Sequence, residues 1–251
     1  MAAAASKLYR YHVENLRSLE VALGSTSRSA RAAIACGDKS AIQSFVRLYA
    51  FLLGAWAETR LRKLLYEGSG FSASHRKRVL DEGTQLDQWK KAVELGFRVH
   101  YGKPRAAIQP GNFPATAAFR YHATIAAIDE WLGPTISVRN KLAHGQWVYP
   151  LNSTGTDIAQ DMYVPINKEN LLALQYKMAL LKELAQLAHE LIASPPTFER
   201  DFDLRFDRIA GIVTNLESRR YEDYAANLVQ KRARGVERRR AGKGAPTKAS
   251  I

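Results

Sequence analysis

The sequence predicts an all-α protein, a bundle of about six or seven helices that carries one small β-hairpin. Two observations lead to this prediction. Apolar residues recur at the three- and four-residue spacing of an amphipathic helix through most of the 251 residues. Glycines, prolines or good N-cap residues separate these stretches, whereas a pattern typical of β-strands occurs at only one place.

The chain before residue 103 contains four predicted helices. Asp38 is a good N-cap for the longest of them, in which the apolar residues from Ile42 to Leu65 form one stripe. Gly24, Gly68 and Gly102 are expected to end helices, because glycine readily adopts the left-handed conformation found at a helix C-terminus. The four predicted helices cover residues 6–23, 27–35, 38–68 and 84–102.

A loop rich in proline, residues 103–114, precedes the centre of the chain. Helical spacing resumes over residues 116–131, and the Gly133-Pro134 pair is expected to break it. Proline suits the first turn of a new helix, which we predict over residues 134–143. This helix is expected to end at His144 and Gly145.

The only β signal follows this helix. Residues 146–149 and 162–164 are rich in aromatic and β-branched side chains, and they flank the polar stretch 152–157. This arrangement predicts a small β-hairpin with a loose loop, inserted after the helix over residues 134–143.

The C-terminal third is again helical. Asn167 is a good N-cap for a helix over residues 168–193, which a Ser-Pro-Pro sequence at 194–196 ends. A last helical region, with a break allowed inside it, follows to about residue 240. The Pro-Pro break fits either a boundary between a core and an extension or a tight turn inside one bundle. We divide the chain into a helical domain (1–194), a C-terminal helical extension packed on it (195–230) and a basic tail (231–251).

The net charge of +13 is unevenly distributed along the chain. Residues 231–251 carry eight Lys or Arg residues against one acid, Glu237, so their net charge is +7 and the other residues hold +6. Such a tail is expected to be disordered, at least past about residue 240. It could clamp nucleic acid without sequence preference, or it could be a solvated tail that aids solubility, and the sequence supports both about equally.

Composition and motifs exclude several classes of protein. Cys36 is the only cysteine, which excludes an internal disulfide and a cysteine-based zinc site. The sequence contains no run of about 18 apolar residues and no signal peptide, so we expect a cytoplasmic protein without a membrane segment. It contains neither a phosphate-binding glycine loop nor a His-Glu-x-x-His pair, and no metal ion or cofactor is expected.

One short segment, residues 139–145 with the sequence RNKLAHG, carries the groups that metal-free RNA cleavage needs. His144 can transfer a proton near neutral pH. Arg139 can hold a phosphate with its planar guanidinium and stabilise the charge that gathers on it. Asn140 can orient the phosphate or the neighbouring side chains.

This segment resembles the signature of the HEPN family, Arg-polar-(three to five residues)-His, in the form Arg-Asn-x-x-Ala-His-Gly. The resemblance is strongest over residues 138–147, and elsewhere it rests on the helical layout. It implies a HEPN-like helical bundle, because the family consists of small helical domains. Many of these are ribonucleases of toxin and antiviral defence systems, and some are non-catalytic.

The resemblance also implies partners. RNA would be the substrate, and an antitoxin or another protein of a defence system could restrain the activity. Some HEPN toxins carry a tyrosine two residues after the histidine, where a partner nucleotidyltransferase modifies them. Gln146 occupies that position here, which argues against this particular pairing.

The motif also predicts an assembly. Residues five apart on a helix point about 140° apart, so Arg139 and His144 converge only if His144 lies at the helix end. Gly145 permits this. The reaction needs an acid and a base, whereas one motif has one histidine, and a symmetric homodimer that pairs two motifs would supply both. The resemblance implies the same, since HEPN nucleases commonly build a composite site across two domains. The alternative is that Arg139 and Asn140 brace a helix whose end His144 caps.

Glu58 and two basic clusters are further candidates. Glu58 could orient an arginine or histidine of the motif, and HEPN domains often carry a polar or acidic residue on the facing helix. The alternative, which the sequence slightly favours, is an ion pair with Arg62 one turn away. The clusters could hold an RNA backbone, although a solvated helix face is the simpler explanation for each alone. They are Arg60, Arg62 and Lys63, and Arg76, Lys77 and Arg78.

The sequence therefore predicts a metal-independent endoribonuclease that leaves 2′,3′-cyclic phosphate ends. Arg139, Asn140 and His144 are the expected catalytic residues, with Glu58 in support. The alternative function is a non-catalytic, HEPN-like dimer module that binds RNA or a protein through its basic surface.

Overall fold

The computed structural model describes residues 2–243, and this part of the chain consists of helices and loops without a β-strand. The predicted all-α class is confirmed for these residues. A π-helical turn, Ile128–Leu132, joins two of the helices. In chain order the helices are α1 (Ala2–Cys36), α2 (Lys39–Leu65), α3 (Ala73–Leu80), α4 (Gln85–His100), α5 (Ala115–Ala127), α6 (Gly133–Ala143), α7 (Gln160–Asn167), α8 (Leu171–Ala193), α9 (Pro195–Ser218) and α10 (Tyr221–Lys243).

Polar side chains cap the starts of several helices. Asp38 and Thr84 each accept a hydrogen bond from the backbone N–H three residues later, and so begin α2 and α4 where the sequence predicts. Asn170 caps α8 in the same way. The predicted cap, Asn167, is instead the last residue of α7.

The predicted β-hairpin after α6 is wrong. Its second strand lies in α7, because Met162 and Ile166 are four residues apart and both are buried, which is a helical pattern and not an alternating one. A single antiparallel bridge, between Leu151 and Ile158, closes the polar loop that separates the two expected strands.

Two predicted helix breaks are also absent. α1 continues through Gly24, because Leu16, Leu23, Ala30 and Ile34 form one buried stripe, and α1 packs against α2. Burial of this stripe outweighs the cost of one glycine inside a helix, about 1 kcal/mol. α5 and α6 are also continuous, because the π-helical turn lies directly before Gly133-Pro134 and carries the chain past the proline without a loop.

α2 is the central helix of the bundle, and it packs against α1, α6 and α8. Its side chains Leu53, Trp56, Leu61 and Leu65 are buried. α4 packs against α3, α5 and α8 on the other side of the core. The segment with the RNKLAHG sequence is therefore held against the central helix, α2.

The C-terminal helices share the same core. Phe198 and Phe202 of α9 are buried, and α9 packs along α8 after the turn at residues 194–196. A buried carboxylate, Glu190 of α8, pairs with Arg205 of α9 at 2.6 Å. α10 packs on α1 and α8. It is helical as far as Lys243, close to the end at about residue 240 that the sequence predicts for the last helical region, so the helix includes the first part of the basic tail. The rest of that tail, residues 244–251, lies outside the described residues.

Candidate active site

A glycine brings the helix with the motif against α2. A Cβ atom on Gly54 would lie 2.8 Å from Cγ of Arg139 and 3.3 Å from the carbonyl oxygen of Thr135. Any larger residue would therefore push α6 away from α2. Sequence reasoning missed Gly54, because nothing along the chain indicates which helix lies opposite it.

This close approach places Arg139 beside Glu58. Nη2 of Arg139 donates a hydrogen bond to Oε2 of Glu58, and Nη1 donates one to Oδ1 of Asn140 at 3.0 Å. The Arg139 side chain is about one quarter exposed, and its Nε is buried without a partner among the described residues. Glu58 therefore bonds to the motif across the helix interface, and not to Arg62 on its own helix as the sequence slightly favoured.

The guanidinium retains free donors. Nη1 and Nη2 of Arg139 each carry two N–H groups, and each uses one of them in the hydrogen bonds to Asn140 and Glu58. One N–H on each nitrogen can still bind an oxygen atom. Two such donors on one planar group suit two oxygens of a phosphate.

His144 lies at the end of α6. Its backbone N–H donates to the carbonyl oxygen of Asn140 at 3.2 Å, and Gly145 follows with a φ of +75°, a left-handed conformation that glycine adopts without strain. The N–H of Gln146 then bonds to the carbonyl oxygen of Lys141 at 3.0 Å, which closes the helix with a Schellman motif. The His144 side chain is exposed and makes no hydrogen bond within the described residues.

The loop after α6 folds back along the helix. Leu151 makes two of these contacts: its N–H donates to Oε1 of Gln146 at 2.8 Å, and its carbonyl oxygen accepts from Nζ of Lys141. Nε1 of Trp147 donates to the carbonyl oxygen of Leu142 at 3.0 Å. These contacts hold the end of α6 in place while leaving the His144 side chain open to solvent.

The first basic cluster is largely engaged in internal contacts. Arg60 is half-buried, and burial lowers the pKa of its guanidinium. Lys63 pairs with Glu67 at 3.1 Å and lies over the ring of Tyr9. Arg62 is half-buried and lies near His12, whose pKa is lowered by burial and by the positive charge of Arg62.

The second basic cluster lies on α3, a helix that the sequence does not predict. Arg76 donates to the carbonyl oxygen of Phe71 at 2.6 Å and is half-buried. Lys77 is exposed and forms an ion pair with Asp81. Arg78 is exposed and makes no side-chain hydrogen bond within residues 2–243. Of the six predicted RNA-binding cations, Arg62 and Arg78 retain the most freedom to bind a phosphate.

Other kinds of site are not seen in the described part of the chain. No group of three or more His, Cys, Asp and Glu side chains there could hold a metal ion. No helix between residues 2 and 243 combines the length and apolarity needed to cross a membrane. Comparisons of the chain with protein-family models, with curated proteins and with solved structures gave no match.

Proposed function

We propose that the protein is a metal-independent endoribonuclease of the HEPN type, active in prokaryotic antiviral defence or in a toxin-like system. One observation carries this proposal. Arg139 is held by Glu58 with two free donors, beside Asn140 and at the helix end that exposes His144. The site thus offers a guanidinium with free donors and, five residues later at the helix end, an exposed histidine that a polymer substrate can reach.

The proposed reaction uses the substrate's own 2′-hydroxyl. A base takes its proton, the 2′-oxygen bonds to the adjacent phosphorus, and the bond from phosphorus to the 5′-oxygen breaks. An acid protonates the leaving 5′-oxygen, so the products are a 2′,3′-cyclic phosphate and a 5′-hydroxyl. His144 serves as the proton carrier, and the free N–H groups of Arg139 stabilise the charge on the phosphate oxygens.

The same chemistry supports a homodimer. One chain offers one histidine at the site, whereas the reaction uses both a base and an acid. Two chains related by a twofold axis would bring a second His144 to a shared cleft. Arg62 and Arg78 would add phosphate contacts along the RNA. An antitoxin or another protein of the same defence system would restrain the dimer.

The test is cleavage of single-stranded RNA by purified protein in EDTA. His144→Asn and Arg139→Ala should each reduce the rate by at least about a hundredfold. Removal of a general acid or base commonly costs this much, and so does removal of a donor that stabilises charge in the transition state. Glu58→Gln should reduce it less, because it removes only the charge that orients Arg139. Arg105→Ala, which removes an exposed arginine from a loop, is the matched control and should cleave like the wild type.

A second function is favoured by a specific contact. The ion pair between Arg139 and Glu58 at a close helix crossing could serve only to hold α6 on α2, and the protein would then be a non-catalytic dimer module that binds RNA or protein. In that case the wild type binds RNA without cutting it, and His144→Asn has no effect on any property. Full cleavage by both His144→Asn and Arg139→Ala would also refute the proposed catalytic site.

A further inference from the structure

α10 runs beside α1 and continues past its end. The hydroxyl of Tyr224 donates to Oε1 of Gln175 at 3.5 Å, and the amide of Gln175 donates to Oγ of Ser27 on α1 at 3.0 Å. Eight residues along α10, Nη1 of Arg232 meets Sγ of Cys36, the last residue of α1. The two helices therefore run parallel. The rest of α10 extends beyond α1 by about 16 Å, from a rise of 1.5 Å per residue.

This projecting segment is strongly basic, and its residues are exposed or partly exposed as far as Arg239, the last one whose exposure the structure describes. We call residues 231–243 the basic arm. Among the described residues after Arg232, one side chain makes a hydrogen bond. Nε of Arg239 donates to the carbonyl oxygen of Gly235, inside the arm itself. Its one acid is Glu237. The exposed cations of the arm are Lys231, Arg232, Arg234, Arg238 and Arg239.

The cations lie on two flanks of the helix. At about 100° per residue, Lys231, Arg234 and Arg238 fall on one stripe, and Arg232 and Arg239 fall on another about 120° away. Val236 is the only apolar side chain larger than alanine in the arm. A lipid surface is therefore a poor partner, because a helix that binds a membrane needs a continuous apolar face.

We propose that the basic arm binds double-stranded DNA by entering the major groove. That groove is about 12 Å wide and admits an α-helix, so the two stripes of cations would each face one phosphate backbone. The major groove of double-stranded RNA is too narrow for a helix. A single strand offers one backbone and would use one stripe only. The contacts are to phosphates, so binding has little sequence preference.

The arm is separate from the candidate active site. Lys39 begins α2 directly after the end of α1, where the arm starts to project, and Glu58 lies about 28 Å farther along α2. DNA binding by the arm therefore stands independently of the proposed RNA cleavage. His144→Asn should bind DNA like the wild type, and a protein that fails to cleave RNA would still bind DNA.

Fluorescence anisotropy with the full chain tests the proposal on four labelled probes: a 20-base-pair DNA duplex, the matching RNA duplex, and one single strand of each. The DNA duplex should bind most tightly. DNA affinity should fall by at least about tenfold at moderate salt in a variant with four changes in the arm, Lys231→Gln/Arg234→Gln/Arg238→Gln/Arg239→Gln. The slope of log affinity against log salt should become shallower by roughly 3.6, because about 0.9 is lost for each of the four phosphate contacts removed.

Matched controls distinguish an effect of the arm from an effect of total charge. They also distinguish binding by a helix from binding by a flexible basic tail. Lys103→Gln/Arg105→Gln/Lys168→Gln/Arg208→Gln removes the same charge at exposed positions elsewhere and should keep DNA affinity within about twofold. Ala233→Pro keeps every cation but interrupts the helix, and it should abolish the preference for duplex DNA. Gly235→Ala, whose added Cβ meets no atom within 4 Å, should retain that preference.

Three results would overturn the proposal. The first is equal DNA affinity in the wild type and the variant with four changes in the arm. The second is a wild type that prefers single-stranded or double-stranded RNA, since the arm would then be an RNA contact. The third is an unchanged preference for duplex DNA in Ala233→Pro, because a helix in the groove would then play no part.

Discussion

Gly54 is the residue on which the geometry of the candidate site depends most directly. It lies in the middle of α2, where glycine costs helix stability. A larger residue does not fit there, because Arg139 and Thr135 of α6 fill the space that its side chain would need. The position of Arg139, and so the direction of its free donors, follows from this contact.

We predict that Gly54→Ala destabilises the protein by about 1–3 kcal/mol, the usual cost of overpacking a buried contact. Gly24→Ala is the matched control, because Gly24 also lies inside a helix but its added Cβ would have only Arg28 Nη1 nearby, at 3.6 Å. That change should stabilise the protein by about 0.5–1 kcal/mol. Urea unfolding measures both free energies, and the same sign for the two variants would contradict this account of Gly54.

Glu58 shows what a single sequence can and cannot reveal about the site. Both of its candidate partners, Arg62 and the motif arginine, could be named in advance. The pair with Arg62 needs only helical spacing, whereas the pair with Arg139 needs the packing of α6 on α2. The sequence therefore named both possible partners of Glu58 and favoured the wrong one, because contacts between distant segments leave no local pattern.

At the scale of helices, the sequence predicted those boundaries that depend on residues close together in the chain. N-caps at Asp38 and Thr84 and a helix end at His144 appear where expected. The errors arose where packing outweighs local preference. The stripe of α1 passes through Gly24, and burial of Met162 and Ile166 turns a segment with strand-like composition into α7. α3 was missed because it has a single buried residue, Val79, and so carries no periodicity.

A cluster of hydrogen bonds around one carboxylate joins α9 to α4 and α5. Glu199 of α9 accepts hydrogen bonds from Nε2 of His100 at 2.9 Å, from the hydroxyl of Tyr101 and from Nη1 of Arg120 at 2.6 Å. Burial alone would raise the pKa of Glu199, but the hydrogen bonds from Tyr101 and His100 and the charge of Arg120 together lower it. Burial, followed by the bond to Glu199, raises the pKa of Tyr101.

We predict that this contact stabilises the fold at neutral pH and is lost in acid. Because the pKa of Glu199 is lower in the folded chain than in the unfolded one, its contribution is complete above the unfolded value, about 4.3, and disappears as the pH falls through the folded value. Glu199→Gln should therefore lower the free energy of unfolding at pH 7, by on the order of 1 kcal/mol because water screens this partly exposed carboxylate. The two proteins should converge once the pH falls below the folded pKa of Glu199.

Urea unfolding at several pH values measures this difference. Asp203→Asn is the control, because Asp203 is 84% exposed and lies 3.6 Å from the same arginine, Arg120. It should change stability little at any pH. A difference between Glu199→Gln and the wild type that grows in acid would reverse the sign and refute the assignment.

At the scale of the whole molecule, the proposed function requires a dimer, because the second chain would supply the second proton carrier. Each chain has one RNKLAHG segment on an open surface, and its His144 has no acid or base partner among the described residues. The rest of the fold supports that surface, since α6 lies against α2 and the following loop is bonded back to the helix. A second chain is then the simplest source of the second proton carrier.

We predict that the protein sediments as a homodimer at micromolar concentration and that two inactive variants rescue each other. A mixture of His144→Ala and Arg139→Ala chains, allowed to exchange subunits, should cleave RNA faster than either variant alone but more slowly than the wild type. A mixed dimer still binds the phosphate with one intact Arg139 and keeps one of the two proton carriers, while water must replace the missing His144. The control mixes His144→Ala chains with Arg139→Ala/His144→Ala chains. This pair forms the same dimers but contains no His144, so its cleavage should stay at the background of the variants.

A monomer with full activity would show that one chain completes the reaction alone. Rescue in the control mixture would show that another group carries the proton, and the assignment of His144 would then fail even though the dimer forms.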